Sequence, residues 1–269
     1  MTVSPHALDA AVALTPAGAH RFTGHTHPAY SNMVGPFGGT IAATLLNGVL
    51  SHPERLGDPL SLTVHYAAPI TDGAFEVHAR PMRTNRSTQH WLVELRQGDA
   101  VAAFATVLTA VRRDTWSATD AVFPSVPSAE SLPRHPGVFR TEWPKAYDMR
   151  FTDGEQVLDN VVRDDAVTRV WLRDEPPRPL DFLALSAICD AFIPRVFVRR
   201  SRAVPAGTVT LTVYFHADAA LLAAQGTAHV LGCAKGLRYS QGFHDQTAEI
   251  WSAQGDLLAV GHQVAYFKE

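Results

Sequence analysis

Two cysteines in 269 residues leave no room for a disulfide framework, so a reducing compartment is expected. No apolar run approaches the roughly 20 residues that a membrane-spanning helix needs. The first residues also lack the basic stretch followed by an apolar one that marks a secretory leader, and the expected location is cytoplasmic. Positive charge is not in excess either: 23 Lys and Arg against 26 Asp and Glu give a net charge of −3. Such a balance offers no extended basic field to nucleic acid or to an anionic membrane. Thirteen histidines are present, among them His25-Thr26-His27, His216 and His229, yet none falls at a zinc-ligand spacing, and no metal is expected. Ser186 lacks the Gly-x-Ser-x-Gly elbow of a serine hydrolase. Cys189, inside an apolar stretch, reads as an inert core thiol.

What is present is a repeat. Ser61-Leu62-Thr63-Val64-His65-Tyr66-Ala67-Ala68-Pro69 returns as Thr210-Leu211-Thr212-Val213-Tyr214-Phe215-His216-Ala217-Asp218. Gln97-Gly98-Asp99 and the β-rich run behind it return as Gln254-Gly255-Asp256 with a similar run to Phe267. Upstream, Pro36-Phe37-Gly38-Gly39 opens an apolar helical stretch through Leu50, and Pro179-Leu180-Asp181-Phe182 opens a matching one through Phe192. With 46% apolar residues the chain can bury a sizeable core, and two copies of one supersecondary unit account for most of it.

Within each copy, a helix apolar on nearly every face is a buried helix. It is followed by alternating runs: Ser61–Ala68, Gly73–Arg83, Ser87–Arg96 and Val101–Arg112 in the first copy. The second has Val167–Arg173, Gly207–His216, Gly226–Cys233, Gln246–Ser252 and Leu257–Phe267. The pattern predicts an α+β fold in which a curved antiparallel sheet wraps a long buried helix, twice over. The expected units are residues 1–113, a Pro-rich linker over 114–146, and 147–269.

In this register Asn47 faces Asp190, Pro59 faces Thr208 and Thr106 faces Gln263. Only the second copy carries a carboxylate, a hydroxyl and a carboxamide, as expected where one catalytic site survives a duplication; drift on two surface faces would give the same pattern. A carboxylate on an apolar helix is costly to bury unpaired, so Asp190 should be hydrogen-bonded or carry a raised pKa, and either state suits a general base.

The order and spacing of Pro36-Phe37-Gly38-Gly39, the helix Leu183–Asp190, the strand Thr208–His216 and the final strand with Leu258-Ala259-Val260-Gly261-His262-Gln263 resemble the double-hotdog acyl-CoA thioesterases of the type II (TesB-like) family. The resemblance covers about residues 14–112 and 147–268. It implies that Asp190, Thr208 and Gln263 jointly hold the water that attacks a thioester, without metal or redox cofactor. It makes an acyl-CoA the substrate. Gly38 and Gly39 would then offer backbone amides to the oxyanion, and Arg83, Asn85 and Arg86 would grip the coenzyme A phosphates. A non-catalytic acyl-CoA or lipid-binding hotdog protein is the alternative. A hotdog hydratase is disfavoured, since no histidine accompanies Asp190. Sheet edges of this kind commonly pair, so a homo-oligomer is expected. The short basic segment with Arg195, Arg199, Arg200 and Arg202 departs from the family pattern and bears on the pocket entrance.

Overall fold

The structure is a computed structural model and describes residues 5–136, 141–155 and 157–268. Its first half holds α1 (Ala7–Ala11), β1 (Thr15–Pro16), β2 (Arg21–His25), α2 (Gly38–Leu50), β3 (Asp58–Tyr66), β4 (Ala74–Thr84), β5 (Thr88–Gln97) and β6 (Ala100–Ala110). The second holds β7 (Tyr147–Asp153), β8 (Thr168–Asp174), α3 (Phe182–Ile188), α4 (Arg195–Arg200), β9 (Ala206–Phe215), α5 (Ala219–Gln225), β10 (Val230–Lys235), β11 (Tyr239–Ser240), β12 (Phe243–Trp251) and β13 (Leu257–Phe267).

Both halves share one antiparallel sheet, ordered β1-β2-β4-β5-β6-β3-β9-β13-β12-β10-β8-β7, with β11 paired to β12. They join at β3 and β9, where Thr63 stands opposite Thr212 and the two hydroxyls lie 3.1 Å apart. These two threonines are each other's counterparts in the repeat, so a local pseudo-twofold axis passes between them. Strand alternation turns Leu62, Val64, Val77, Val93, Leu211, Val213 and Ile250 inward onto α2 and α3 in one continuous core. The helices touch where α2 begins and α3 ends: a Cβ on Gly39 would lie 2.5 Å from the Ala187 carbonyl oxygen. Only glycine allows that approach.

Three expectations need correction. The second helix ends at Ile188 rather than reaching Phe192; Asp190 N–H donates to Ala187 O (3.1 Å) and Ala191 N–H to Ile188 O (2.9 Å), tighter turns than an α-helix makes. The chain turns there, and Asp190 leaves the helix axis. The proline-dense segment is more than a tether. Apart from short 3₁₀ turns at Ala129–Ser131 and Trp143–Ala146, its described residues form no ladder, as proline density dictates. Its Phe123, Val126, Ala129 and Leu132 nevertheless cover Trp171, Leu231 and Trp251 on the outer face of the second half's strands, and Trp171 Nε1 donates to Pro127 O (2.8 Å).

The third correction is to the register of the repeat. Gln263 pairs with Leu211, and Leu62, the counterpart of Leu211, pairs with Val107. The true counterpart of Gln263 is therefore Val107, while Thr106 points outward. The Gln-Gly-Asp motif misplaces the copies by one residue because the connection of the second hairpin is one residue longer: Arg96 pairs with Val101, whereas the equivalent Trp251 pairs with Leu257. A one-residue slip exchanges the faces of a strand. No helix among the described residues is long and apolar enough to cross a membrane.

Candidate active site

Asp190, just past the end of α3, lies against the first turn of α2 from the other half. A Cβ on Gly38 would be 2.6 Å from its Oδ2. The side chain is 7% exposed, and burial pushes its pKa up to about 7, while the Gly39 amide and the Gln263 carboxamide, as hydrogen-bond donors, pull it back. Asp190 is thus poised to lose and regain a proton near neutrality.

The other two members of the trio come from adjacent strands. Thr208 on β9 donates its hydroxyl to Gln263 Oε1 on β13 at 2.9 Å. With its oxygen so fixed, Gln263 presents its Nε2 donors toward Asp190. Carboxylate, carboxamide and hydroxyl form one chain. Asp190 and Gln263 are each 7% exposed and Thr208 is half-buried, so the approach from solvent lies on the threonine side.

Gly38 and Gly39 both lie against Asp190. The N-terminus of α2 has no side-chain cap, which leaves its amides available. That of Gly39 is already turned to Asp190. The Gly38 carbonyl accepts from the Tyr66 hydroxyl at 2.9 Å. Burial, and then the nearby Asp190, raise the Tyr66 pKa well above its ordinary value, so Tyr66 stays a neutral donor that fixes the helix start.

Tyr66 was not among the expected site residues, although the repeat holds a clue: its counterpart is Phe215. Gln246 was also missed. It faces Gln263 across β12 and β13, is 2% exposed, and its Nε2 meets no acceptor among the described residues. The equivalent positions of the first half, Trp91 and Val107, face each other and are buried and apolar. Asn47, the counterpart of Asp190, is consumed by backbone, its Nδ2 donating to Val12 O at 2.7 Å. The first half has filled its site with hydrocarbon.

Arg83, Asn85 and Arg86 are not brought to the trio. Their turn lies beyond the far end of α2: beside it, Gln89 bonds the backbone of Glu54 and Leu56, which follow that helix. At a rise of about 1.5 Å per residue, α2 holds that turn and Asp190 nearly 20 Å apart. Arg83 Nε is spent on Asn85 Oδ1 (2.9 Å) and Asn85 Nδ2 on Thr88 Oγ1 (3.0 Å). We expect Arg83→Ala and Arg86→Ala to leave the KM for acyl-CoA within about twofold in steady-state assays; a tenfold rise would return the turn to the site.

The Cys189 thiol is buried, and burial and then Asp190 push its pKa far up, so it is not a nucleophile. Of the histidines singled out in the sequence, His229 is bonded to Asp148 (3.1 Å). Among the described residues His20, His52 and Glu54 form one group with metal-like spacing, but His20 and His52 bond each other at 2.7 Å, beyond the far end of α2 from Asp190. The trio contains no such group.

Residues 27–111 match the acyl-CoA thioesterase N-terminal domain and residues 123–267 the acyl-CoA thioesterase C-terminal domain. None of the curated proteins compared with the chain matches it. Among solved structures, a conserved hot dog fold protein of unknown function from Alicyclobacillus acidocaldarius is 47% identical with a TM-score of 0.94, 99% of each chain being covered. A tesB protein of Mycobacterium avium subs paratuberculosis (18% identity, TM-score 0.80, covering 97% of this chain and 98% of that one) shares the fold. So does acyl-CoA thioesterase II TesB2 of Mycobacterium marinum (15%, 0.76, 97% and 98%). The chain belongs to the acyl-CoA thioesterase family, thioester hydrolases of the TesB-like double-hotdog type.

Proposed function

We propose that the chain hydrolyses an acyl-CoA to the free acid and coenzyme A at the single site formed by Asp190, Thr208 and Gln263. The observation that carries this reading is the buried Asp190, with a pKa near 7, in direct register with the Thr208–Gln263 pair. Asp190 takes a proton from water as its oxygen attacks the thioester carbonyl carbon. Thr208 and Gln263 hold the water and the carboxylate in line, so reaction starts from an aligned pair. The carbonyl oxygen gathers negative charge, and the unpartnered Gln246 Nε2, beside Gln263, is the donor positioned to receive it. When the tetrahedral intermediate collapses, the C–S bond breaks. The thiolate takes up the proton held by Asp190 and leaves as free thiol. Every step uses this chain's own residues and water, so no cofactor is required.

Thiol release from a panel of acyl-CoA thioesters tests the proposal. The native protein should turn over, and Gln263→Ala should lose about 10²-fold in kcat while melting within a few degrees of it. A native protein that binds acyl-CoA without releasing thiol would make it a binding protein instead. Loss of folding in step with activity would assign Gln263 to structure.

A further inference from the structure

At the Asp190 end of the molecule the protein has an open cavity of about 710 Å³, lined by Val162, Val196, Arg199, Arg200, Tyr239 and Phe267 together with the Ser240-Gln241-Gly242 turn. Its size is that of a ligand site rather than of a packing defect. Among the described residues two guanidinium groups and no carboxylate line it, which suits an anion, and the two aromatic rings suit a planar base. One Arg199 donor, Nη1, is buried without a hydrogen-bond partner. The connection between β10 and β12 that forms one wall is the counterpart of the β4–β5 turn carrying Arg83 and Arg86, now at the Asp190 end of the molecule.

A continuous path leads from the cavity to the trio. Phe267, Ala265 and Gln263 share the inner face of β13, and four residues of strand span about 13 Å. Along this face the Tyr239 and His244 rings stack at 5.7 Å, His244 and Phe267 lie 6.2 Å apart, His244 stands opposite Ala265, and Gln246 opposite Gln263. Tyr239 Oη, His244 Nε2 and Gln246 Nε2 are buried there without partners. Buried polar atoms are ordinarily paired, and three orphans in a row mark a route meant for something polar. The half-buried Thr208, two residues along β9 from the Phe267–Ala206 pair, is where that route meets the trio.

We propose that this cavity receives the phosphate-bearing nucleotide end of coenzyme A, with Arg199 and Arg200 on the phosphates. The pantetheine arm then runs past Tyr239 and His244, its amides meeting their free polar atoms, and delivers the thioester to Gln246 and Asp190. The assignment rests on the hydrolase reading and adds the coenzyme's entry to it. It also gives the basic segment around α4 its function. Arg195 at the head of that helix has a different, structural role: fully buried, it donates to Ala166 O (3.0 Å) and Thr168 Oγ1 (2.7 Å).

The experiment compares an acyl-CoA with the N-acetylcysteamine thioester of the same acid, which keeps the reacting group and lacks the nucleotide. The native protein should prefer the coenzyme thioester in kcat/KM. In Arg199→Ala that preference should fall about tenfold, further in the Arg199→Ala/Arg200→Ala pair, with the loss in KM and not in kcat. A preference unchanged in both variants overturns the proposal, as does equal damage to both substrates, which would mark a structural role. If the native protein hydrolyses neither thioester, the hydrolase reading fails alone. Calorimetric titration with free coenzyme A then decides the cavity: binding weakened at least tenfold by Arg199→Ala supports the assignment, and no binding to the native protein ends it.

Discussion

Asp190→Asn should lower kcat for acyl-CoA hydrolysis by about 10²–10⁴-fold, the usual contribution of a positioned general base, and should at the same time stabilise the fold above neutral pH. The first effect follows because the amide keeps the shape and one acceptor oxygen for the Gly39 and Gln263 donors but cannot accept the water's proton. The second follows from burial. Asp190 titrates at about 7 in the folded chain, against about 4 when unfolded. Between these values the folded state binds more protons, so the stability present at low pH is lost as pH rises through 7. Asparagine never ionises and escapes that loss. Melting curves of the two proteins should therefore coincide at about pH 4 and separate by several degrees at about pH 8, with the variant the more stable. Equal melting temperatures at both pH values would mean that Asp190 is not held in a dry site. Asp174, also buried and raised to about 7, titrates alike in both proteins and cancels from the comparison.

Gly39→Ala should unfold at a temperature lower by several degrees and lose activity as well. A Cβ there would sit 2.4 Å from the Phe37 ring and 2.5 Å from the Ala187 carbonyl oxygen. The ring cannot swing away, because it is stacked at 4.2 Å on Trp143. Ala187 belongs to the backbone of α3, so the two helices must part, and overpacking of this kind costs about 1–3 kcal/mol. Asp190 follows three residues later and takes the Gly39 amide, so its carboxylate shifts with the helix. Gly38→Ala should show the opposite balance. Its Cβ would meet the Asp190 carboxylate oxygen at 2.6 Å and the Tyr66 hydroxyl at 3.4 Å, side-chain atoms that can move. We expect a smaller fall in melting temperature and a larger fall in kcat. Thermal unfolding and turnover measured on both variants separate the two roles; equal effects in both assays would dissolve the distinction.

The sheet and the first buried helix were legible because period-2 alternation and all-round apolarity survive in both copies, and α2 spans Gly38–Leu50 as its composition demands. The trio was legible for another reason: polar residues on elements otherwise built for burial are costly, and one copy had kept them. What escaped depends on partners distant in sequence. Tyr66 and Gln246 matter only because β3 crosses to the second half's helix end and β12 lies beside β13. The counterpart of Gln263 is Val107 and not Thr106 because the second hairpin's connection is one residue longer, and no residue type marks that extra position. Arg83 and Arg86 stand on the basic turn of a hairpin, and it is the corresponding hairpin of the other copy that lies at the Asp190 end of the molecule. The linker's apolar residues were hidden by the prolines between them, although Phe123 and Val126 are the kind of side chains that seek a surface such as Trp171 and Trp251.

The two halves differ in polarity at equivalent positions. Trp91 and Val107 occupy as hydrocarbon the space where Gln246 and Gln263 remain as carboxamides. The first half brings Gly38, Gly39 and Tyr66 to the surroundings of Asp190, and the counterpart of Asp190 in its own helix is Asn47. The helix junction that buries Asp190 raises its pKa, and the raised pKa is what makes a carboxylate useful as a base near neutrality.

The pH dependence of kcat/KM for a good acyl-CoA substrate bears on this most directly, since it reports the ionisation of the free protein. The rate should fall tenfold per pH unit below about 7, with the slope of a single proton, and level off above it. A rate that stays flat down to about pH 5 would contradict a base buried at the junction of α2 and α3.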